Sequence, residues 1–264
     1  MKLYHRDLGE GEPLVILHGL LGGSDNWGTV GRRLAERFRV IMVDLRNHGR
    51  SPHNDSFDYG VMSGDVNELL QDMGLHRINL VGHSMGGKVA MSYAQYYPFK
   101  VLRLGVVDIA PRVYHSTFFQ DLIDSLMAVS LEGADTRDEA EARFADLLPD
   151  PAFRGFVLKN LRLRREGGYD WRVNLPAIRR ALPHILGDIG RLDAYTGPAA
   201  FFRGERSDYV RDADIPLIRD YFPAADVITI PGAGHWVHSD APDAFQDALL
   251  QFLTRPLPPS GSPS

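Results

Sequence analysis

The chain of 264 residues is 44% hydrophobic and 24% charged, which is typical of a soluble globular protein with a core that needs neither disulfides nor a metal. It contains no cysteine, and this excludes a disulfide scaffold, a thiolate metal site and a cysteine nucleophile. A net charge of −5 argues against nucleic acid or an anionic membrane as the main partner. No secretory leader or membrane-length apolar run is visible, so we expect a cytoplasmic protein.

The first 111 residues alternate apolar strands with helices. A first strand is predicted at residues 3–7, and four continuous apolar runs indicate strands buried on both faces of a sheet, at residues 14–17, 40–43, 78–81 and 101–107. Helical spacing and helix-stop residues predict helices at residues 27–38, 61–73 and 88–97. This alternation is typical of an α/β protein whose mostly parallel sheet has helices on both faces.

The alternation stops between residues 112 and 195, where no strand-like run occurs and the pattern is mostly helical. It resumes with strands at 199–202 and 227–230 and with helices at 214–221 and 242–253. Structureless insertions of this length are rare in compact domains. We therefore predict a helical cap (lid) at residues 112–195 over a core formed by residues 1–111 and 196–254. Residues 255–264, rich in Pro, Ser and Gly, are predicted to be a disordered tail.

The stretch Gly82-His83-Ser84-Met85-Gly86 fits the pattern G-x-S-x-G and lies between a predicted strand and a predicted helix. A serine at the apex of a strained turn leaves no room for β-carbons two residues away, which explains both glycines. The following helix directs free N–H groups and its positive dipole end at the serine. Ser84 is therefore the candidate nucleophile, the alternative being a tight turn with an incidental serine.

A serine hydroxyl needs a neighbouring base with a pKa near neutrality, which indicates a histidine. Among ten histidines, His235 directly follows the last predicted strand and the sequence Gly-Ala-Gly. It also completes the chain order serine, acid, histidine. His235 is therefore the candidate base, and His238 is a weaker rival. The alternative interpretation is that His235 is an ordinary loop histidine.

Two aspartates compete to be the acid that orients this histidine. Asp208 follows the next-to-last strand, which is the commonest place for the acid. However, the usual Gly-x-x-Asp spacing from Gly204 falls on Ser207, one residue earlier. Asp108 ends the strand before the insertion, and we favour it while keeping Asp208 as the alternative acid. The aspartate without this role would be solvated or would cap a turn.

An oxyanion hole needs two backbone N–H groups close to the nucleophile. One is expected from Met85, directly after Ser84, and the other from Leu20, in the glycine-rich loop after residues 14–17.

These sequences resemble the α/β-hydrolase superfamily over essentially the whole chain, and within it the YbfF-type esterases. The narrowest matches are Asp44-Leu45-Arg46-Asn47-His48-Gly49 and Asp108-Ile109-Ala110-Pro111. The resemblance implies an α/β-hydrolase fold and a carboxylesterase that cleaves acyl esters or thioesters without a cofactor or metal. Bacterial members use the aspartate of Asp-Ile-Ala-Pro as the triad acid, which supports Asp108, whereas other relatives are assigned a later acid.

Several side chains are expected to contact a small-molecule acyl substrate, namely His18, His83, Phe118, Phe119, Leu122 and Trp236. The cap residues among them would line an acyl pocket or would instead form the core of the cap. An excess of basic residues between 154 and 180 would steer an anionic substrate such as an acyl-CoA, although a solvated or paired helix face is the simpler interpretation.

Other functions are compatible with the same motif. A C–C bond hydrolase or a perhydrolase would use the same three residues, and a hydrolase-fold receptor or binding protein would retain them. A haloalkane dehalogenase or an epoxide hydrolase would need an aspartate in place of Ser84. The sequence leaves open the acyl chain length, the leaving group, and whether the protein is a monomer or a homodimer.

Overall fold

The structure, a computed structural model, describes residues 1–257. Its centre is a sheet of seven strands, namely β1 (His5–Leu8), β2 (Glu12–Leu17), β3 (Phe38–Val43), β4 (Ile78–His83), β5 (Val101–Val107), β8 (Ala199–Gly204) and β9 (Ala225–Ile230). Their order in the sheet is β1-β3-β2-β4-β5-β8-β9. All neighbouring strands pair in parallel except β1, which is antiparallel to β3. The predicted mostly parallel sheet is confirmed.

Both faces of the sheet are buried, as continuous apolar strands require. Val15 and Leu17 of β2 pack into one apolar cluster, and the alternate residues Leu14 and Ile16 pack into a second cluster on the opposite face. The core helices cover these faces: α1 (Gly28–Leu34), α2 (Tyr59–Asp72), α3 (Met85–Tyr96), α8 (Ile215–Tyr221), α9 (Val237–Asp240) and α10 (Pro242–Leu253). At the start of α2, the carboxylate of Asp58 accepts the Val61 N–H at 2.9 Å and so fixes where this helix begins.

The insertion between β5 and β8 carries four helices, α4 (Phe118–Ala128), α5 (Arg137–Ala142), α6 (Pro151–Leu158) and α7 (Leu175–Leu186). Helices α4 and α7 pack against each other. At the near end of the insertion, Tyr114 N–H donates to Leu186 O at 2.8 Å. The start and the end of the insertion are therefore held together beside the core.

Three expectations from the sequence were wrong. The insertion contains a short antiparallel hairpin, β6 (Leu161–Leu163) and β7 (Tyr169–Trp171), joined through two glycines with positive φ. The helix predicted at 27–38 is only seven residues long, because a 3₁₀ turn precedes it and Phe38 already begins β3. Arg255, placed in the disordered tail, is fixed since its carbonyl accepts a hydrogen bond from Arg103 at 2.6 Å.

The rest of the predicted tail, residues 258–264, lies outside the described residues. Within residues 1–257, no helix combines the length and the apolar character that a membrane span requires.

Candidate active site

Ser84 occupies a strained turn between β4 and α3. Its backbone has φ 51° and ψ −119°, a conformation that costs a non-glycine residue about 1–3 kcal/mol. The turn is also crowded: a Cβ on Gly82 would lie 2.1 Å from Gly86 O, and a Cβ on Gly86 would lie 2.5 Å from His18 O. The two glycines are therefore required by close backbone approach, as the sequence pattern predicts.

His235 lies in the loop after β9 and faces Ser84. Its Nε2 is 3.1 Å from Ser84 Oγ, and its Nδ1 is 2.8 Å from Asp108 Oδ2. With the proton on Nδ1 donated to Asp108, Nε2 is free to accept the serine proton. The structure thus brings together the three residues that the sequence proposed from separate strand ends.

Asp108, at the end of β5, is fully buried and is held by two further donors. Its Oδ1 accepts the Gly204 N–H at 3.0 Å, and its Oδ2 accepts a hydrogen bond from the Ser207 hydroxyl. Like Ser84 it has a positive φ, 51°. These contacts leave the carboxylate one orientation, with Oδ2 directed at His235.

Asp208, the alternative acid, forms no hydrogen bond or ion pair with His235. Its side chain is 92% exposed, and its nearest charged neighbour is Arg211 at 3.8 Å. The hydroxyl of Ser207 occupies the place that an acid at the usual spacing would take, and it donates to Asp108. The structure therefore places Asp108, rather than Asp208, against the histidine.

The two expected oxyanion donors flank Ser84. Met85 is the first residue of α3, where N–H groups have no acceptor inside the helix, and Leu20 lies in the loop after β2 beside Ser84. The Leu20 and Met85 N–H groups donate to no backbone oxygen of residues 1–257. Both are therefore available to a ligand at the serine.

Two cavities meet at Ser84. The lysine cavity has a volume of about 250 Å³ and is lined by residues that include Leu20, Met85, Lys88, Ile109, Arg112 and Tyr114. The aromatic cavity has about 170 Å³ and is lined by residues that include His18, Trp27, Phe153, Phe156, His235 and Trp236. Leu20, Phe119 and Tyr209 line both cavities. His235 lines only the aromatic one.

Most of the predicted substrate-contacting residues line these cavities. His18, His83, Phe118 and Trp236 line the aromatic cavity, in addition to Phe119. Leu122 lines neither and is buried in the apolar core, which is the alternative that the sequence left open.

The basic residues between 154 and 180 lie away from both cavities. Some are paired with carboxylates from other segments: Arg179 contacts Asp124 at 2.7 Å, and Arg180 contacts Asp55. None of them lines the lysine or the aromatic cavity. This arrangement matches the simpler interpretation of the segment as a paired helix surface.

The other histidines near the site are buried. His18 Nε2 accepts the Leu45 N–H at 3.0 Å, and burial lowers the pKa of His18. His238, the rival base, stacks on Trp27 at 4.3 Å, and burial lowers its pKa to about 3. His83 contacts the carbonyl of His235 through Nε2 at 2.9 Å. These rings support the site, and none of them bonds to Ser84.

Three residues at the site are not predicted from the sequence. Ser207 stands at an irregular spacing from Gly204, and that spacing is the signal for its contact with Asp108. Tyr209 stacks on the His235 ring with the centroids 3.8 Å apart, and no local pattern indicates this contact. Lys88 was assigned only to a helix, yet it is a buried cation in the lysine cavity.

Comparison with known proteins agrees with the fold. The α/β-hydrolase-fold family model matches residues 12–242. A zebrafish (Danio rerio) relative, "sn-1-specific diacylglycerol lipase ABHD11", is 38% identical over 93% of this chain and 79% of its own. The Escherichia coli "Esterase YbfF" is 35% identical over 91% of this chain and 92% of its own. The solved structure of a "Marine microorganism esterase" has a TM-score of 0.93 and 41% identity, covering 95% of this chain and 99% of its own.

Proposed function

The chain belongs to the α/β-hydrolase family, and from this premise we propose that it is a serine ester hydrolase that cleaves short- to medium-chain acyl esters or thioesters. One observation carries the proposal: Ser84 Oγ, the His235 ring and the buried Asp108 carboxylate form one chain of contacts, at 3.1 and 2.8 Å. The names of the relatives, a lipase and two esterases, support the ester as the bond that is cleaved.

In the first half-reaction, Ser84 Oγ attacks the acyl carbonyl carbon while His235 Nε2 takes the hydroxyl proton. The Asp108 carboxylate stabilises the imidazolium that forms. The oxyanion accepts hydrogen bonds from the N–H groups of Leu20 and Met85, and removing one such donor typically lowers kcat about 10²–10³-fold. The C–O or C–S bond then breaks as His235 returns the proton to the leaving group.

In the second half-reaction, His235 removes a proton from water, and the resulting hydroxide attacks the acyl-enzyme at the same carbonyl carbon. The proton then returns to Ser84 Oγ, and the carboxylic acid leaves. The strained backbone of Ser84 keeps its oxygen at the apex of the turn through both steps.

The two cavities would bind different parts of the substrate. The leaving group must lie within reach of His235, which protonates it, and only the aromatic cavity contains His235. The acyl group would then extend into the lysine cavity, which contains Ser84 and both oxyanion donors. Both cavities fall below the range of about 300–1,000 Å³ usual for drug-sized ligands, which favours short acyl chains.

A panel of p-nitrophenyl esters from acetate to dodecanoate tests this proposal, with kcat/KM measured for the wild type and for Ser84→Ala. We expect turnover to be highest for short chains and to fall about 10⁶-fold in the variant. Hydrolysis that persists in Ser84→Ala, or a wild type inactive on every ester while it binds a ligand tightly, would overturn the proposal.

A further inference from the structure

The lysine cavity contains a charged group that the hydrolytic mechanism does not use. Lys88 lies in the first turn of α3, where its backbone N–H donates to Ser84 O at 3.1 Å, and both residues line this cavity. Lys88 is only 1% exposed. A buried ammonium group this close to the nucleophile requires partners for its charge and for its three N–H groups.

Two of these N–H groups have partners in the chain. Lys88 Nζ donates to Arg112 O at 2.8 Å and to Gly187 O, the carbonyls at the start and the end of the insertion. The ring of Tyr114 lies 4.8 Å from Nζ, and that of Tyr59 lies 5.7 Å away. These contacts fix the position of the ammonium group and leave its third N–H without a hydrogen-bond acceptor in residues 1–257.

No carboxylate of residues 1–257 forms an ion pair with Lys88, although the charge of Asp188 is near enough to raise its pKa. The other cations of this cavity have acidic neighbours, Arg112 with Asp214 at 3.0 Å and Arg211 with Asp208 at 3.8 Å. By contrast, no carboxylate of residues 1–257 lies within 4.0 Å of Lys88 Nζ.

The burial of Lys88 is reflected in its pKa. Burial lowers the pKa to about 7, the charge of Asp188 raises it, and the charge of Arg112 lowers it further. A bound anion would favour the charged form.

We propose that Lys88 binds a carboxylate at the far end of the acyl group, so that the enzyme prefers half-esters of short dicarboxylic acids. The inference rests on the proposed function, because it assigns the lysine cavity to the acyl group. The phenyl or alkyl leaving group would occupy the aromatic cavity. The terminal carboxylate would accept the free Lys88 N–H and balance its charge.

Two esters of equal chain length test the inference, phenyl hydrogen glutarate and phenyl pentanoate, which differ in a terminal carboxylate or methyl group. The wild type should show kcat/KM at least about tenfold higher for the glutarate half-ester. Lys88→Met should lower this ratio about 10- to 100-fold, the range for one hydrogen bond to a charged group, mainly through KM. The control Lys100→Met, at a lysine that instead contacts Asn67, should leave the ratio unchanged.

A second measurement needs no variant. In the wild type the ratio of the two kcat/KM values should fall as the pH rises through about 7, since the free enzyme then loses the Lys88 proton. The ratio cancels the titration of the shared catalytic residues. This readout stands even if Lys88→Met does not fold.

The failures can be told apart. If the wild type hydrolyses neither ester, the proposed function and the inference both fail. If it hydrolyses both equally, prefers the pentanoate, or shows a ratio independent of pH, only the inference fails. If Lys88→Met lowers kcat/KM equally for both esters, Lys88 only holds the two ends of the insertion in place. That result would also overturn the inference.

Discussion

Replacing Asp108 by asparagine should disable the site while preserving its shape. The asparagine Oδ1 can still accept the Gly204 N–H, now 3.0 Å from the carboxylate, but the amide NH₂ would face His235 Nδ1. Because an NH₂ group only donates, Nδ1 must become an acceptor and the ring proton must move to Nε2. That proton would then face Ser84 Oγ, and His235 could no longer accept the serine proton.

The expected loss is about 10⁴-fold in kcat, as for the same change in other triads. It corresponds to about 5.4 kcal/mol in the activation free energy. In contrast, Asp208→Asn changes a side chain that is 92% exposed and should alter kcat less than about threefold. Steady-state kinetics on p-nitrophenyl butyrate compares the two variants, and thermal unfolding checks that both fold. A large loss in Asp208→Asn, or Asp108→Asn within tenfold of the wild type, would refute the assignment.

Three further predictions concern strain and burial. Gly82→Ala should destabilise the fold by about 3 kcal/mol, because the new Cβ would lie 2.1 Å from a backbone oxygen of α3. The control Gly64→Ala, in α2, adds a Cβ that meets nothing within 4 Å and should stabilise the fold by about 0.5–1 kcal/mol. If urea unfolding shows the same change in stability for both variants, the crowding argument is contradicted. Ser84→Gly should be about 1 kcal/mol more stable than Ser84→Ala by the same assay, since glycine relieves the positive φ; a less stable glycine variant would argue against strain. Burial lowers the pKa of His48 to about 3, below its unfolded value near 6.5. Its contribution to stability is therefore complete above about pH 6.5 and is lost toward pH 3, by up to about 1.4 kcal/mol per pH unit. His48→Gln should flatten the free energy of unfolding against pH in this window, and exposed His76→Gln should not; an unchanged slope in His48→Gln would contradict this.

The parts of the fold that follow from local sequence could be predicted. The apolar runs of the central strands and the glycines around Ser84 act within a few residues, so each indicates its own structure. The hairpin between Leu161 and Trp171 was missed because three-residue strands carry too few residues for an apolar period, and its turn depends on two glycines with positive φ.

The site could be predicted only in part, because its arrangement depends on contacts between segments that are distant in the sequence. The choice between Asp108 and Asp208 depends on which loop reaches His235, and the sequence shows only that both follow neighbouring strands. Lys88 is a similar case, because its partners are carbonyl groups 24 and 99 residues further along the chain. Every residue has a backbone carbonyl, so the sequence does not indicate which of them accept a hydrogen bond from Lys88.

The central claim is that Ser84 carries an acyl group during turnover. The most direct measurement is intact-mass spectrometry of enzyme quenched in acid while it hydrolyses p-nitrophenyl butyrate, followed by peptide mapping. We predict one butyryl group per chain, located on Ser84 and absent from Ser84→Ala. Turnover with the acyl group on another residue, or undiminished turnover by Ser84→Ala, would contradict the claim.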